Sequence, residues 1–131
     1  MAVGQEKAKL IDETVIKAMG AYGGGIAASG GTCGTLLGGV ALISGIYSRA
    51  SLTEKEDPRM WSLSKKFIAA FEELTRECGG TDCRDIARVD WSDKAAAKEY
   101  YASPDSRRQV CIELVGAAAH ALGEILEAEG F

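Results

Sequence analysis

Gly30-Gly31-Thr32-Cys33-Gly34-Thr35-Leu36-Leu37-Gly38-Gly39-Val40-Ala41-Leu42-Ile43-Ser44-Gly45-Ile46 reads as a helix start running into a core helix. Ser29 to Thr32 supplies capping chemistry for the unpaired first-turn amides. The apolar run from Thr35 to Tyr47 falls short of the roughly 20 residues that a bilayer span requires, so it reads as a buried helix. Gly38, Gly39 and Gly45 each cost about 1 kcal/mol of helix propensity. They make sense where another backbone or a cofactor packs closely against that face.

Working outward, residues 5 to about 22 read as an amphipathic helix, with Ala8, Ile11, Val15, Ala18, Met19 and Tyr22 at helical spacing and Gly23-Gly24-Gly25 ending it. Ser48 to Glu56 is a polar loop. Asp57-Pro58 then starts a helix with Met60, Phe67, Phe71, Leu74 and Cys78 on one face, stopped by Gly79-Gly80. Thr81 or Asp82 caps a short turn from Cys83 to Ala87, and Trp91-Ser92 opens a helix to Tyr101. Ser103-Pro104 repeats the cap-and-proline signal before a last helix striped by Cys111, Leu114, Val115, Ala118, Leu122, Ile125 and Leu126. The expectation is a single all-α domain over residues 1–131, an irregular bundle of about five or six helices.

With 131 residues, 47 % of them hydrophobic, the chain can bury one core. The formal net charge is -4 and the basic residues are scattered, which argues against nucleic acid and membrane surfaces as partners. The first residues carry no secretory h-region, so a cytoplasmic location is expected. Four cysteines are too few and too irregular for a secreted disulfide framework, and in a reducing compartment they read as core residues, metal ligands or redox thiols.

Cys33 stands out because glycines bracket it at a helix start. Unpaired amides and the helix dipole there favour a thiolate, and the small neighbours leave the sulfur open to a partner sulfur or a metal. Cys83 lies at a second helix start, beside Arg84 but also between Asp82 and Asp85. Cys78-x4-Cys83 is longer than a zinc-ribbon hairpin, and Cys78 reads as a buried thiol on the Phe67 and Phe71 face. Cys111, on the apolar stripe of the last helix, reads by itself as structural. Gly25 to Thr32 has the glycine spacing of a phosphate loop, but glycine stands where the lysine must be and no strand precedes it. Nucleotide hydrolysis is therefore rejected, leaving Gly30, Gly31, Thr32 and Gly34 as a weaker anion or cofactor contact. His120 shares the last helix's outer face with Glu113, Glu124 and Glu127 and reads as a surface residue. No Cys–His dyad or serine triad is formed.

The series Gly23-Gly24-Gly25, Gly30-Gly31-Thr32-Cys33-Gly34, Phe67 and Phe71, Gly80-Thr81-Asp82-Cys83-Arg84-Asp85-Ile86 and Val110-Cys111 resembles the C_GCAxxG_C_C family, classed as redox-active. The resemblance matches Cys33, Cys83 and Cys111 to the family's later cysteines and leaves Cys78 as an addition. It also implies an earlier helix with a Cys-x-x-Gly-Cys-Ala-like segment, whereas no cysteine here precedes Cys33. It implies thiol–disulfide exchange, or an iron–sulfur or zinc centre on Cys33, Cys83 and Cys111 with or without Cys78. A redox partner protein or a second copy of the chain would complete the system. A related domain accompanies haem and iron–sulfur centres in split-Soret cytochromes, but no Cys-x-x-Cys-His haem attachment motif occurs here. The competing expectation is a non-catalytic oligomerisation or partner-binding domain with inert core cysteines.

Overall fold

The computed structural model describes residues Met1–Phe131, and every regular element in it is helical. In chain order these are α1 (Ala2–Ala8), α2 (Glu13–Ala18), α3 (Gly34–Tyr47), α4 (Arg59–Leu74), α5 (Cys83–Ile86), α6 (Lys94–Ala102) and α7 (Arg108–Ala128), with 3-10 turns at Gly20–Tyr22 and Arg76–Cys78. The core lies where α3, α4 and α7 meet. Ile43, Phe67, Phe71, Ile86 and Leu126 are almost wholly excluded from solvent there. Phe67 packs where Gly39 leaves room, since a Cβ on Gly39 would stand 2.1 Å from the Phe67 ring. That is the close approach the α3 glycines implied. Gly45, by contrast, has nothing near its Cβ position.

The α4 start is as the sequence suggested: the Asp57 carboxylate accepts from the Arg59 amide at 2.9 Å. Three expectations need correction. The single helix over 5–22 is broken, because Lys9 turns left-handed (φ 55°) and Asp12 caps a new helix, accepting from Thr14 and Val15 amides at 2.8 and 3.3 Å. Only Gln5 and Ala8 of this region are buried, while Ile11 and Val15 face solvent. Next, α6 is capped by Asp93, which accepts from the Ala95 and Ala96 amides, while Ser92 bonds to Asp90. Last, α7 begins at Arg108 instead of at Pro104, because Ser103 and Ser106 hold the intervening residues in a turn, with Ser106 donating to the Tyr100 carbonyl at 2.6 Å. By length and composition α7 could cross a membrane; here it packs against α1, α3 and α4.

The most unusual backbone is the connection into α3. Gly24, Gly25, Ile26, Ala27 and Ala28 are consecutively left-handed, with φ from 50° to 74°. This coil is closed by Ala27 N–H to Ala21 O (2.6 Å), Ala28 N–H to Gly23 O (3.1 Å) and Gly31 N–H to Gly25 O (3.0 Å). Three non-glycine residues in this region cost roughly 1–2 kcal/mol each. Ala27→Gly should therefore raise stability by about 1 kcal/mol after the extra unfolded-state entropy of glycine is subtracted. Urea unfolding checks this, as an upward shift of midpoint at constant m-value.

Candidate functional site

The left-handed coil, the residues after it and the start of α5 form the floor of the site. Thr32 pairs with Asp82 in an isolated antiparallel bridge, flanked by Cys33 N–H to Thr81 O (3.0 Å) and Cys83 N–H to Gly31 O (2.7 Å). Cys33 and Cys83 directly follow the two bridge residues, Cys33 as the residue leading into α3 and Cys83 as the first residue of α5, so the bridge brings the two helix starts together. Two residues fifty positions apart in the chain are brought near each other by the pairing of residues 31–33 with residues 81–83.

Gly25 makes this approach possible. A Cβ there would lie 2.3 Å from Gly31 O and 2.8 Å from Cys83 Cβ. Arg84 ties the same loop from the other side, donating through Nε to Gly30 O at 2.9 Å. The amides of Gly30 and Gly31 are already bonded to Gly24 and Gly25 carbonyls, so these glycines build the floor and offer no amide to an anion. Cys33 stands at the N-cap of α3, one residue before its first turn, and its sulfur caps no amide. The first bond of the helix runs from Leu37 N–H to Cys33 O, which leaves the Gly34, Thr35 and Leu36 amides without a backbone acceptor.

Cys33, Cys83 and Cys111 line one cavity of about 850 Å³ between α3 and α7. Cys111 reaches it from the first turn of α7 and packs against both the main core and a smaller cluster of Cys83, Ala87 and Tyr100. Cys78 does not line the cavity. It is held against Arg107, whose Nη2 donates to Cys78 Sγ at 3.6 Å while its Nε donates to Ile86 O at 2.7 Å. All four cysteines are free thiols, and His120 lies outside, near Glu124.

The three thiols sit in different surroundings. Cys83 is buried and Cys33 and Cys111 are half-buried. Burial pushes the Cys83 thiol above its ordinary range; charge on Cys33, Cys111 and Asp82 would act in the same direction. Trp91 opposes the shift, donating from Nε1 to Cys83 Sγ at 3.3 Å. Burial likewise pushes the Tyr100 phenol above its ordinary range, and the neighbouring Cys111 acts in the same direction. Its ring meets Trp91 edge-on with centroids 5.1 Å apart. The sequence reading missed Trp91 and Tyr100 as neighbours of the sulfurs. A Trp–Tyr–Tyr grouping at Trp91, Tyr100 and Tyr101 was visible, but nothing in its spacing pointed at a cysteine.

Removing the indole donor with Trp91→Phe should raise the Cys83 thiol further and shift the pH profile of Cys83 alkylation to higher pH, by the loss of one stabilising hydrogen bond to the thiolate. Iodoacetamide labelling against pH, read by peptide mass, measures it. An unchanged profile would show that the indole contributes nothing to the thiolate.

No group of three or more Cys, His, Asp or Glu side chains is positioned to hold a metal ion, so the cysteines as arranged do not fit a closed cluster or zinc site.

The architecture is thus that of a helical domain organised around a three-cysteine cavity. The chain belongs to the family described as "Putative redox-active protein (C_GCAxxG_C_C)", whose model matches residues 1–125, nearly the whole chain. No curated protein and no solved structure matches it.

Proposed function

We propose that the protein is a dithiol–disulfide exchanger, with Cys33 as the attacking thiol, Cys83 as the resolving thiol and Cys111 as the third sulfur of the site. The observation that carries this reading is the single cavity lined by these three cysteines and by no other. Cys33 is the more open of the first two. Cys83 is buried and waits as a thiol, which suits a group that acts only after the first exchange.

In the exchange, Cys33 sulfur attacks one sulfur of a substrate disulfide, that S–S bond breaks, and the first substrate thiolate leaves. Cys83 sulfur then attacks Cys33 sulfur and expels the second thiolate, forming a Cys33–Cys83 disulfide. The two cysteine protons pass to the two substrate thiolates; the substrate gains two electrons and the protein loses two. A dithiol protein partner resets the pair by the same chemistry. The resting dithiol state belongs in a reducing compartment, in keeping with a cytoplasmic location.

The test is a thiol count on anaerobically purified protein before and after a mild disulfide oxidant, with iron, sulfide and zinc measured on the same sample. The expected result is four free thiols falling to two, restored by reductant, without metal. Cys33→Ser should keep three thiols and lose the reversible pair. Stoichiometric metal released together with Cys33, Cys83 and Cys111 reactivity would replace the exchange reading with a metal centre. Four slowly reacting thiols unchanged by oxidant would leave a helical interaction domain with inert cysteines.

A further inference from the structure

The cavity extends well beyond the sulfurs. From the three cysteines it runs between α3 and α7 along Gly38, Gly39 and Phe67 on one side and Val115, Ala119 and Leu122 on the other. Its size falls in the range of small-ligand pockets, roughly 300–1,000 Å³, and its lining is mostly apolar. An occupant of this channel therefore has an apolar body.

The cysteine end is different. Arg108 lines the cavity there, three residues before Cys111 on the same helix, a spacing that puts their Cβ atoms about 5–6 Å apart. Its guanidinium lies over the Tyr101 ring, 5.7 Å from the centroid, and makes no salt bridge or side-chain hydrogen bond. Of the other cations on the lining, Lys7 is already bound to Glu127 at 2.6 Å, and the Met1 amino group lies farther along the channel, 3.5 Å from where a Gly38 Cβ would stand. Arg108 is thus the uncommitted cationic side chain of the cavity, steadied by an aromatic face on the helix that carries Cys111, with the apolar channel leading away from it.

Building on the exchange reading, we propose that the substrate is a small disulfide carrying a carboxylate within a few bonds of its sulfurs and an apolar arm beyond. The carboxylate pairs with Arg108, the scissile sulfurs meet Cys33, and the arm lies between α3 and α7. Arg108 acts here as a specificity residue; the electron balance is that of the dithiol exchange already given.

Two measurements on the full chain test this, one of them independent of sulfur chemistry. Calorimetric titration of the reduced protein compares octanoate with 1-octanol, and is repeated on a variant with Cys33, Cys83 and Cys111 replaced by serine. Octanoate should bind at least about ten-fold more tightly than octanol, Arg108→Gln should erase the difference, and Ala119→Trp, at an exposed position of the channel wall, should abolish both. In the second, 5,5′-dithiobis(2-nitrobenzoate), which carries carboxylates, is compared with the neutral 4,4′-dithiodipyridine. Arg108→Gln should slow the charged disulfide about ten-fold and leave the neutral one unchanged. Equal binding of octanoate and octanol, an Arg108→Gln variant that behaves as wild type, or no binding at all would overturn the proposal, as would carboxylate-selective binding paired with equal disulfide rates. Unreactive thiols in a protein that still selects octanoate would remove the exchange reading, and the disulfide with it, while the anion-and-arm site stood.

Discussion

Gly25→Ala should leave the helices formed and take the cysteine site apart. At φ 74° an alanine is already in the left-handed region, at a cost of about 1–2 kcal/mol. Its Cβ would also meet Gly31 O at 2.3 Å, Gly31 N at 2.5 Å and Cys83 Cβ at 2.8 Å. Two of these are backbone atoms of the strand that pairs with Asp82 and Cys83, so no side-chain rotation relieves them. The chain must part at the Thr32–Asp82 bridge or at the Gly25–Gly31 hydrogen bond, and either movement separates Cys33 from Cys83. We expect a loss of roughly 3 kcal/mol in urea unfolding, with far-ultraviolet circular dichroism near that of wild type and no oxidant-induced pairing of thiols. Retained pairing at wild-type stability would mean that the coil does not set the position of Cys83.

Phe67→Ala should be the most damaging single change in the core. Phe67 is 1 % exposed, fills the space left by Gly39 and touches Phe71 at a centroid distance of 6.4 Å. Truncating a buried phenylalanine costs about 3–5 kcal/mol, the transfer term plus the cavity left behind. That is a large share of the 5–15 kcal/mol total of an ordinary domain. Because Phe67 also lines the wall of the cysteine cavity, the loss should enlarge that cavity and loosen α3 against α4. Gly39→Ala alone would overpack the same contact, so a Phe67→Leu, Gly39→Ala pair should recover part of the stability that Phe67→Ala forfeits. Thermal unfolding of the three variants measures this, and a Phe67→Ala loss under 1 kcal/mol would contradict the packing account.

The long helices were legible because their apolar residues recur at helical spacing and their ends carry strong signals. Asp57 caps α4, and the stripe Leu114, Ala118, Leu122, Ile125 and Leu126 is the buried face of α7. The N-terminal region was misread because the same periodicity in Ile11, Val15 and Tyr22 does not record a break made by one left-handed lysine and one capping aspartate. Those apolar residues are exposed, so the pattern that argued for a buried stripe had no core behind it. Val115, near the start of the α7 pattern, faces the cavity and solvent for the same reason: spacing fixes a direction, and packing decides what lies there.

The site was half legible. Cys33 stood out from its local glycines, although it proves to be the cap residue of α3 and not a member of its first turn. Its approach to Cys83 rests on a bridge between residues 32 and 82, a non-local pairing that no local propensity encodes. The left-handed run through Ile26, Ala27 and Ala28 was unreadable because none of these residues favours that conformation; the hydrogen bonds and the Gly25 contact impose it. Trp91 and Tyr100 acquire their roles through tertiary packing alone.

We propose Cys33 and Cys83 as the exchanging pair, and their peptides can be separated. Cleavage before aspartate puts the four cysteines on four different peptides, since Asp57, Asp82 and Asp105 fall between them. Mass mapping of such a digest, after mild oxidation and alkylation of the remaining thiols, should give one major disulfide. It should join the Asp12–Glu56 peptide to the Asp82–Arg84 peptide, with Cys78 and Cys111 alkylated. Alkylated Cys33 and Cys83 in the oxidised protein, or a bond that engages Cys78 in their place, would contradict the account.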